Sequence, residues 1–142
     1  MIFKVYDSLP EEAKAVRITV FVDEQGFTDE FDATDNDSTH IIGFDESGRP
    51  ATTCRIIKCG ESVYMFGRIA VLKEYRGKGY GAATVRRAEE IIAERGGGTV
   101  IIHSQLQAKG FYEAIGYVPT GETDVEQGCP HLMLTKEITA KH

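Results

Sequence analysis

Apolar and polar positions alternate along "MIFKVYD", the two-residue period of a strand, and Pro10 follows at a turn. From Glu11 to Val22 the period lengthens: Ala13, Val16, Val20 and Phe21 recur at helical spacing, with Glu11 and Glu12 in the first turn, where the helix dipole favours anions. An acidic stretch comes next and reads as irregular. "HIIGFDESGRPATTCRIIK" and "SVYMFGRIAVL" then predict strand, turn at Ser47-Gly48, strand, turn at Gly60, strand, a three-strand meander from about residue 39 to 72. Ala82, Val85, Ala88, Ile91 and Ile92 form a helical stripe opposed by Arg86, Arg87, Glu89, Glu90 and Glu94. "RGGG" closes that helix, because glycine readily takes the left-handed cap conformation. A short strand "TVIIHS", a helix "QLQAKGFYEAIGY" stopped at Gly116, and a closing strand "HLMLTKEI" complete the pattern.

Composition narrows the class. The chain has 142 residues, 42% of them hydrophobic and 27% charged, enough for one domain over residues 1–142 with its own core. It has no internal repeat, low-complexity segment or linker. No apolar run is long enough for a membrane span, and the amino end lacks the apolar region of a secretory signal, so a cytoplasmic protein is expected. A formal net charge of −6 argues against a main surface that engages nucleic acid. Cys54, Cys59 and Cys129 are odd in number, without C-x-x-C spacing, and indicate neither a disulfide framework nor a zinc site. Between Asp23 and Asp37 there are seven carboxylates and no Lys or Arg, which reads either as a solvated loop or as a surface that attracts cations such as amines.

Against that background "EYRGKGYGAA", Glu74 to Ala83, carries chemistry. It lies between a predicted strand and a predicted helix. The first N–H groups of a helix have no partner inside it, the dipole adds positive charge there, and glycines let a phosphate approach the backbone. Lys73, Arg76 and Lys78 flank the loop, with only Glu74 opposing. A plain tight connection would also use such glycines. Of the phosphate motifs, G-x-x-x-x-G-K-[ST] is missing, whereas Gly77, Gly79 and Ala82 satisfy G-x-G-x-x-A. That dinucleotide fingerprint belongs after the first strand of a βαβ unit with an acid ending the next strand. Here antiparallel strands precede it and the next strand ends "HSQ", so dinucleotide binding is a distant alternative.

The string "RGKGYG", with Arg76, Gly79 and Gly81, resembles the R/Q-x-x-G-x-G/A hallmark of the GCN5-related N-acetyltransferases (GNAT), and "AKGFYEAIGY" resembles their second mark. "VFVDEQG" (Val20 to Gly26), "DATDNDSTH" (Asp32 to His40), "GRIAV" (Gly67 to Val71) and "GCPHLML" (Gly128 to Leu134) are similar to the ElaA/YjcF-like branch. These marks run from about residue 17 to 134. The resemblance implies an α/β (α+β) domain whose mixed, mostly antiparallel sheet splits near the middle, with helices on both faces and acetyl-coenzyme A in the split. It implies an acyltransferase that moves acetyl from acetyl-coenzyme A to a primary amine of a small molecule or peptide by direct attack in a ternary complex. A non-catalytic acyl-coenzyme A binding module is the alternative from another class. Dimers are frequent in the family, so a homodimer stays open.

Residue by residue, Ile69, Ala70 and Val71 match the bulged strand whose backbone meets the pantetheine arm and polarises the thioester carbonyl. Arg76, Gly77, Lys78, Gly79, Tyr80 and Gly81 match the pyrophosphate loop. Tyr112 matches the general acid for the departing thiolate. Gln105 stands where the family often has an asparagine on the pantetheine, and Phe111 packs under the cofactor or in the core. A protonated amine must lose a proton before it attacks, and Glu24, His40 and His131 are candidates for that base, with a water chain as the alternative. Spaced acids in "DNDSTH" lack the glycine and closing glutamate of a calcium loop, and His103 finds no second ligand at metal spacing, so no metal is expected. Cys129 as an acyl carrier is less favoured than Cys129 as a small buried thiol.

Overall fold

The structure, a computed structural model, describes residues 1–26, 31–126 and 128–141. Its elements are β1 (Ile2–Tyr6), α1 (Glu11–Arg17), β2 (Thr39–Phe44), β3 (Pro50–Gly60), β4 (Val63–Val71), α2 (Tyr80–Glu94), β5 (Gly98–Gln105), α3 (Lys109–Ala114), β6 (Val118–Glu126) and β7 (Cys129–Ile138). The seven strands form one sheet in the order β1-β2-β3-β4-β5-β7-β6. Every neighbouring pair is antiparallel except β4 and β5. Among the described residues no helix is long and apolar enough to cross a membrane.

Successive residues of a strand point to opposite faces, so β2 sorts the helices. Ile42 and Phe44 pack with Ala13 of α1, whereas Ile41 joins Val85, Ala88 and Ile92 of α2 and Tyr112 of α3 in the main core. Helices therefore cover both faces, as expected. Thr84 fixes α2 to the sheet through a 2.7 Å hydroxyl contact with Thr52 of β3.

The parallel pairing of β4 with β5 lasts four residues, Val63 with Thr99 to Phe66 with Ile102. Beyond Phe66 the two strands part. The cause lies on the other edge of β4: Arg55 of β3 pairs with Gly67 but Thr53 pairs with Ala70, so β4 spends an extra residue, and Arg68 takes a left-handed φ of 48°. Such a bulge bends its strand and sharpens its twist. It re-aims Ile69, Ala70 and Val71 away from β5, and the split follows.

Two elements differ from the sequence reading. The helix predicted through Val22 is α-helical only to Arg17 and continues as a π-helical turn, Ile18–Glu24. The β-branched run Ile18-Thr19-Val20 crowds an α-helical surface, which favours the wider turn. The strand β6 was not expected at all: "VPTGETDVE" has a proline, a glycine and no alternation, and all but Pro119 are exposed. It pairs along one side only, as the edge of the sheet, where proline is tolerated. The acidic stretch contains a 3₁₀ turn, Ala33–Asp37, while Asp29 and Glu30 lie outside the described residues.

Candidate active site

The split between β4 and β5 opens into a cavity of about 890 Å³. Its walls include Ile69, Ala70 and Val71 from the bulged strand, the glycine loop, and Gln105, Phe111, Tyr112 and His131 from the opposite side. Lys78 and Glu24 are not on its wall.

The loop is shaped by glycine at two points. Gly77 and Gly79 have φ of 76° and 80°, the left-handed region that side chains resist, and Gly79 is the cap from which α2 starts. The Ala83 amide is the first to bond within α2, to the Gly79 carbonyl at 3.0 Å. The amides just before it have no partner inside the helix, and Tyr80, Gly81 and Ala82 lie on the cavity wall. No acid stands in the first turn of α2 to oppose an anion. A Cβ on Gly81 would sit 3.2 Å from Phe111 Cζ and 3.4 Å from Val71 Cγ2, so the helix mouth is pressed against both walls of the split. Tyr75 steadies the loop by stacking on Tyr80, with ring centroids 5.5 Å apart, and donating a 2.6 Å hydrogen bond to Asp45.

Arg76 is engaged within the protein. Its Nε donates to the Val71 carbonyl at 2.9 Å, and its terminal nitrogens bind both oxygens of Glu24 at 2.9 and 3.1 Å. Glu24 thus faces the loop arginine rather than the centre of the cavity. Its neighbour Gln25 accepts a 2.7 Å hydrogen bond from Gln105, which in turn accepts one from Gln107 at 2.8 Å. The end of the π-helical turn therefore touches both the glycine loop and the end of β5 across the split.

Tyr112 is 8% exposed, lies edge-on to Phe111 and Tyr117, and has a hydroxyl bonded to no described residue. Burial, reinforced by the nearby Cys54, pushes its phenol well above the ordinary tyrosine range. It keeps its proton at neutral pH and can donate it only to a strongly basic partner. His131, also 8% exposed, donates from Nδ1 to the Cys129 carbonyl at 2.8 Å, which leaves Nε2 as an acceptor. Beside it on β5 stands His103, with ring centroids 4.7 Å apart. The sequence reading missed His103 as part of the site because its companions come from β6, the strand that carried no sequence signal.

The remaining candidates fall elsewhere. His40 is buried on β2 away from the cavity; its Nε2 donates to the Asp35 carbonyl at 2.9 Å, and burial pulls its pKa down. Asp35 receives Arg17 at 2.8 and 3.2 Å and Arg55 at 3.1 Å, while Asp32 receives Arg55 at 3.0 Å. Two carboxylates of the acidic stretch thus serve buried arginines and are not a free cation-attracting surface. Cys54 is buried, and burial pushes its thiol up to about 12. Cys59 is exposed and Cys129 half-buried, and neither lines the cavity. Among the described residues no three His, Cys, Asp or Glu side chains group as a metal site.

Comparison with known proteins places this architecture. The model of the acetyltransferase (GNAT) domain matches residues 6–138. The uncharacterized protein YyaT of Bacillus subtilis (strain 168) is 37% identical over 133 residues, covering 90% of this chain and 88% of its own. Escherichia coli ElaA superposes with a TM-score of 0.84 at 23% identity, covering 96% of this chain and 100% of that one. An aminoglycoside 6'-N-acetyltransferase solved with coenzyme A shares the fold with a TM-score of 0.74 at 14% identity, over 100% of this chain and 99% of that one. Fold, split sheet, helix-mouth loop and family match converge: the chain belongs to the GNAT acetyltransferase family and is an acyltransferase.

Proposed function

We propose that the protein transfers the acetyl group of acetyl-coenzyme A to a primary amine by direct attack within a ternary complex, with no covalent enzyme intermediate. The observation that carries this is one cavity whose wall runs from the helix mouth at Gly79–Ala82 to Tyr112 and His131 beyond the split. A pyrophosphate fits the loop because Gly77 and Gly79 leave backbone open to it and α2 offers unpaired amides. Coenzyme A held by the structural relative named above supports the same tenant. The bulged backbone of Ile69 to Val71 would meet the pantetheine and polarise the thioester carbonyl.

Proton bookkeeping follows from the two side chains. His131 Nε2 takes a proton from the ammonium; the freed nitrogen attacks the thioester carbon, and the carbon–sulfur bond breaks as the carbon–nitrogen bond forms. Tyr112 protonates the departing thiolate and is recharged by the second proton that the nitrogen sheds. Glu24, tied to Arg76, is assigned to ordering the loop. Glu24→Gln should therefore leave kcat within about two-fold, where loss of a general base would cost about 100-fold or more.

Calorimetric titration with acetyl-coenzyme A, with NADH as comparison, tests the first half of this reading. Release of free thiol with spermidine, glucosamine or a lysine peptide tests the second. Binding of acetyl-coenzyme A alone supports the assignment; equal binding of NADH, or none of either by folded protein, would sink it.

A further inference from the structure

His103 has no part in the scheme above, yet its surroundings are built. Its Nε2 lies 2.7 Å from Asp124 Oδ1 and its Nδ1 3.3 Å from Glu126 Oε2. The strand register brings this about. His131 pairs with Gln105 of β5 and with Asp124 of β6, and alternate residues share a face, so His103, His131, Asp124 and Glu126 all stand on one side of the sheet. That side is opposite the face covered by α2, since Val100, Ile102, Leu132 and Leu134 point into the main core.

A carboxylate oxygen accepts hydrogen bonds, so Asp124 receives the Nε2–H of His103 and fixes the plane of the ring at that end, with Glu126 standing beside the other nitrogen. The ring of His131 leans on that plane at 37°. On its own, His131 is held by a single hydrogen bond to the Cys129 carbonyl, about which the ring could still swing. With the His103 ring against it, the swing is blocked. His103, Glu126 and His131 all line the cavity, so the packed pair faces the space where an acceptor must enter.

We propose that His103, held by its hydrogen bond to Asp124, is a positioning residue that holds the His131 ring with its Nε2 lone pair turned into the cavity. This rests on the assignment of His131 as the base that takes one proton from the acceptor ammonium and passes it to solvent. His103 itself exchanges no proton with the substrate. Removing it leaves the base present but poorly aimed, which lowers kcat without changing the binding of either substrate.

The test uses the full chain and compares His103→Gln, His131→Gln and the double variant for thiol release from acetyl-coenzyme A with the amine panel above, alongside ¹H–¹⁵N spectra of the histidine rings. Misaimed catalytic groups lose roughly 10- to 100-fold in rate. His103→Gln should therefore lower kcat by about 10-fold or more with both KM values within about two-fold, and add nothing in the His131→Gln background. The spectra should show His131 protonated at Nδ1 in both proteins, with its Nε2 signal sharp in the wild type and shifted or broadened by ring motion in His103→Gln. Unchanged kcat, additive losses in the double variant, or an unaltered His131 Nε2 signal would each overturn the proposal. If the wild type releases no thiol with any amine, the acetyl-transfer reading fails by itself, and the ring spectra still decide whether His103 positions His131.

Discussion

Tyr112 and the histidines show how little residue type alone decides. The ring of Tyr112 packs edge-on to Phe111 and Tyr117 close to Cys54, and burial raises its pKa because the charged phenolate is the form that burial penalises. The raised pKa keeps the proton on Tyr112 at neutral pH but makes it a weaker acid than an ordinary tyrosine, so its assignment as the acid rests on its place on the cavity wall. Tyr112→Phe should lower kcat by about 100-fold. Because the ring and its packing remain, acetyl-coenzyme A should bind within about two-fold of wild type by calorimetry. Unchanged turnover would remove Tyr112 from the chemistry. His40 and His131 each donate one ring nitrogen to a backbone carbonyl. One then serves the 3₁₀ turn and the other lines the cavity, a difference of strand position and not of the residue or its local sequence.

At the scale of elements, the loop before α2 and the bulge in β4 together make the split. Gly79 holds a φ of 80° with no atom within 4 Å of where a Cβ would stand, so a side chain there meets backbone strain and no clash. Gly79→Ala should cost about 1–2 kcal/mol of stability, the penalty for a non-glycine residue in the left-handed region. If strain moves the helix mouth, affinity for acetyl-coenzyme A should fall by about 10-fold, measured by the same titration. Loss of stability with full affinity would mean that the amides of Tyr80, Gly81 and Ala82 do not hold the phosphates. Gly81 has ordinary backbone and fails differently: its close neighbour is the exposed, movable ring of Phe111, so Gly81→Ala should be milder.

Across the whole molecule, Asp35 links α1, the 3₁₀ turn and β3 through Arg17 and Arg55. Burial alone would raise its pKa, but hydrogen bonds from Arg17, Arg55 and the Asp32 amide, with the charge of Arg17, hold it at about 2. The folded pKa lies below the unfolded one, so this contribution is present above about pH 4 and is lost as pH falls towards 2. It should be on the order of 2 kcal/mol. Urea unfolding at several pH values should show the wild type losing more stability over that interval than Asp35→Asn, which starts weaker because it leaves two buried arginines short of a partner. Equal slopes would place the acid sensitivity elsewhere.

What the sequence determined by itself was whatever local pattern or a fixed short string encodes. The meander β2–β4, the stripe of α2 and the closing strand follow from apolar periodicity, and "RGKGYG" marks the turn into α2 because glycine at Gly77 and Gly79 is a local conformational requirement. The helix that carries Tyr112 was legible through its string. Tertiary structure decided the rest. The strand β6 is an edge whose exposed residues need no alternation, so Asp124 and Glu126 had no visible link to His103 until β7 paired with both β5 and β6. Asp32 and Asp35 read as part of a solvated or cation-attracting stretch because their ion pairs with Arg17 and Arg55, across 20 residues or so, leave no period in the chain. Glu24 read as a base by position in the sequence and was claimed by Arg76, 52 residues away, because the fold sets the end of one helix beside the mouth of another.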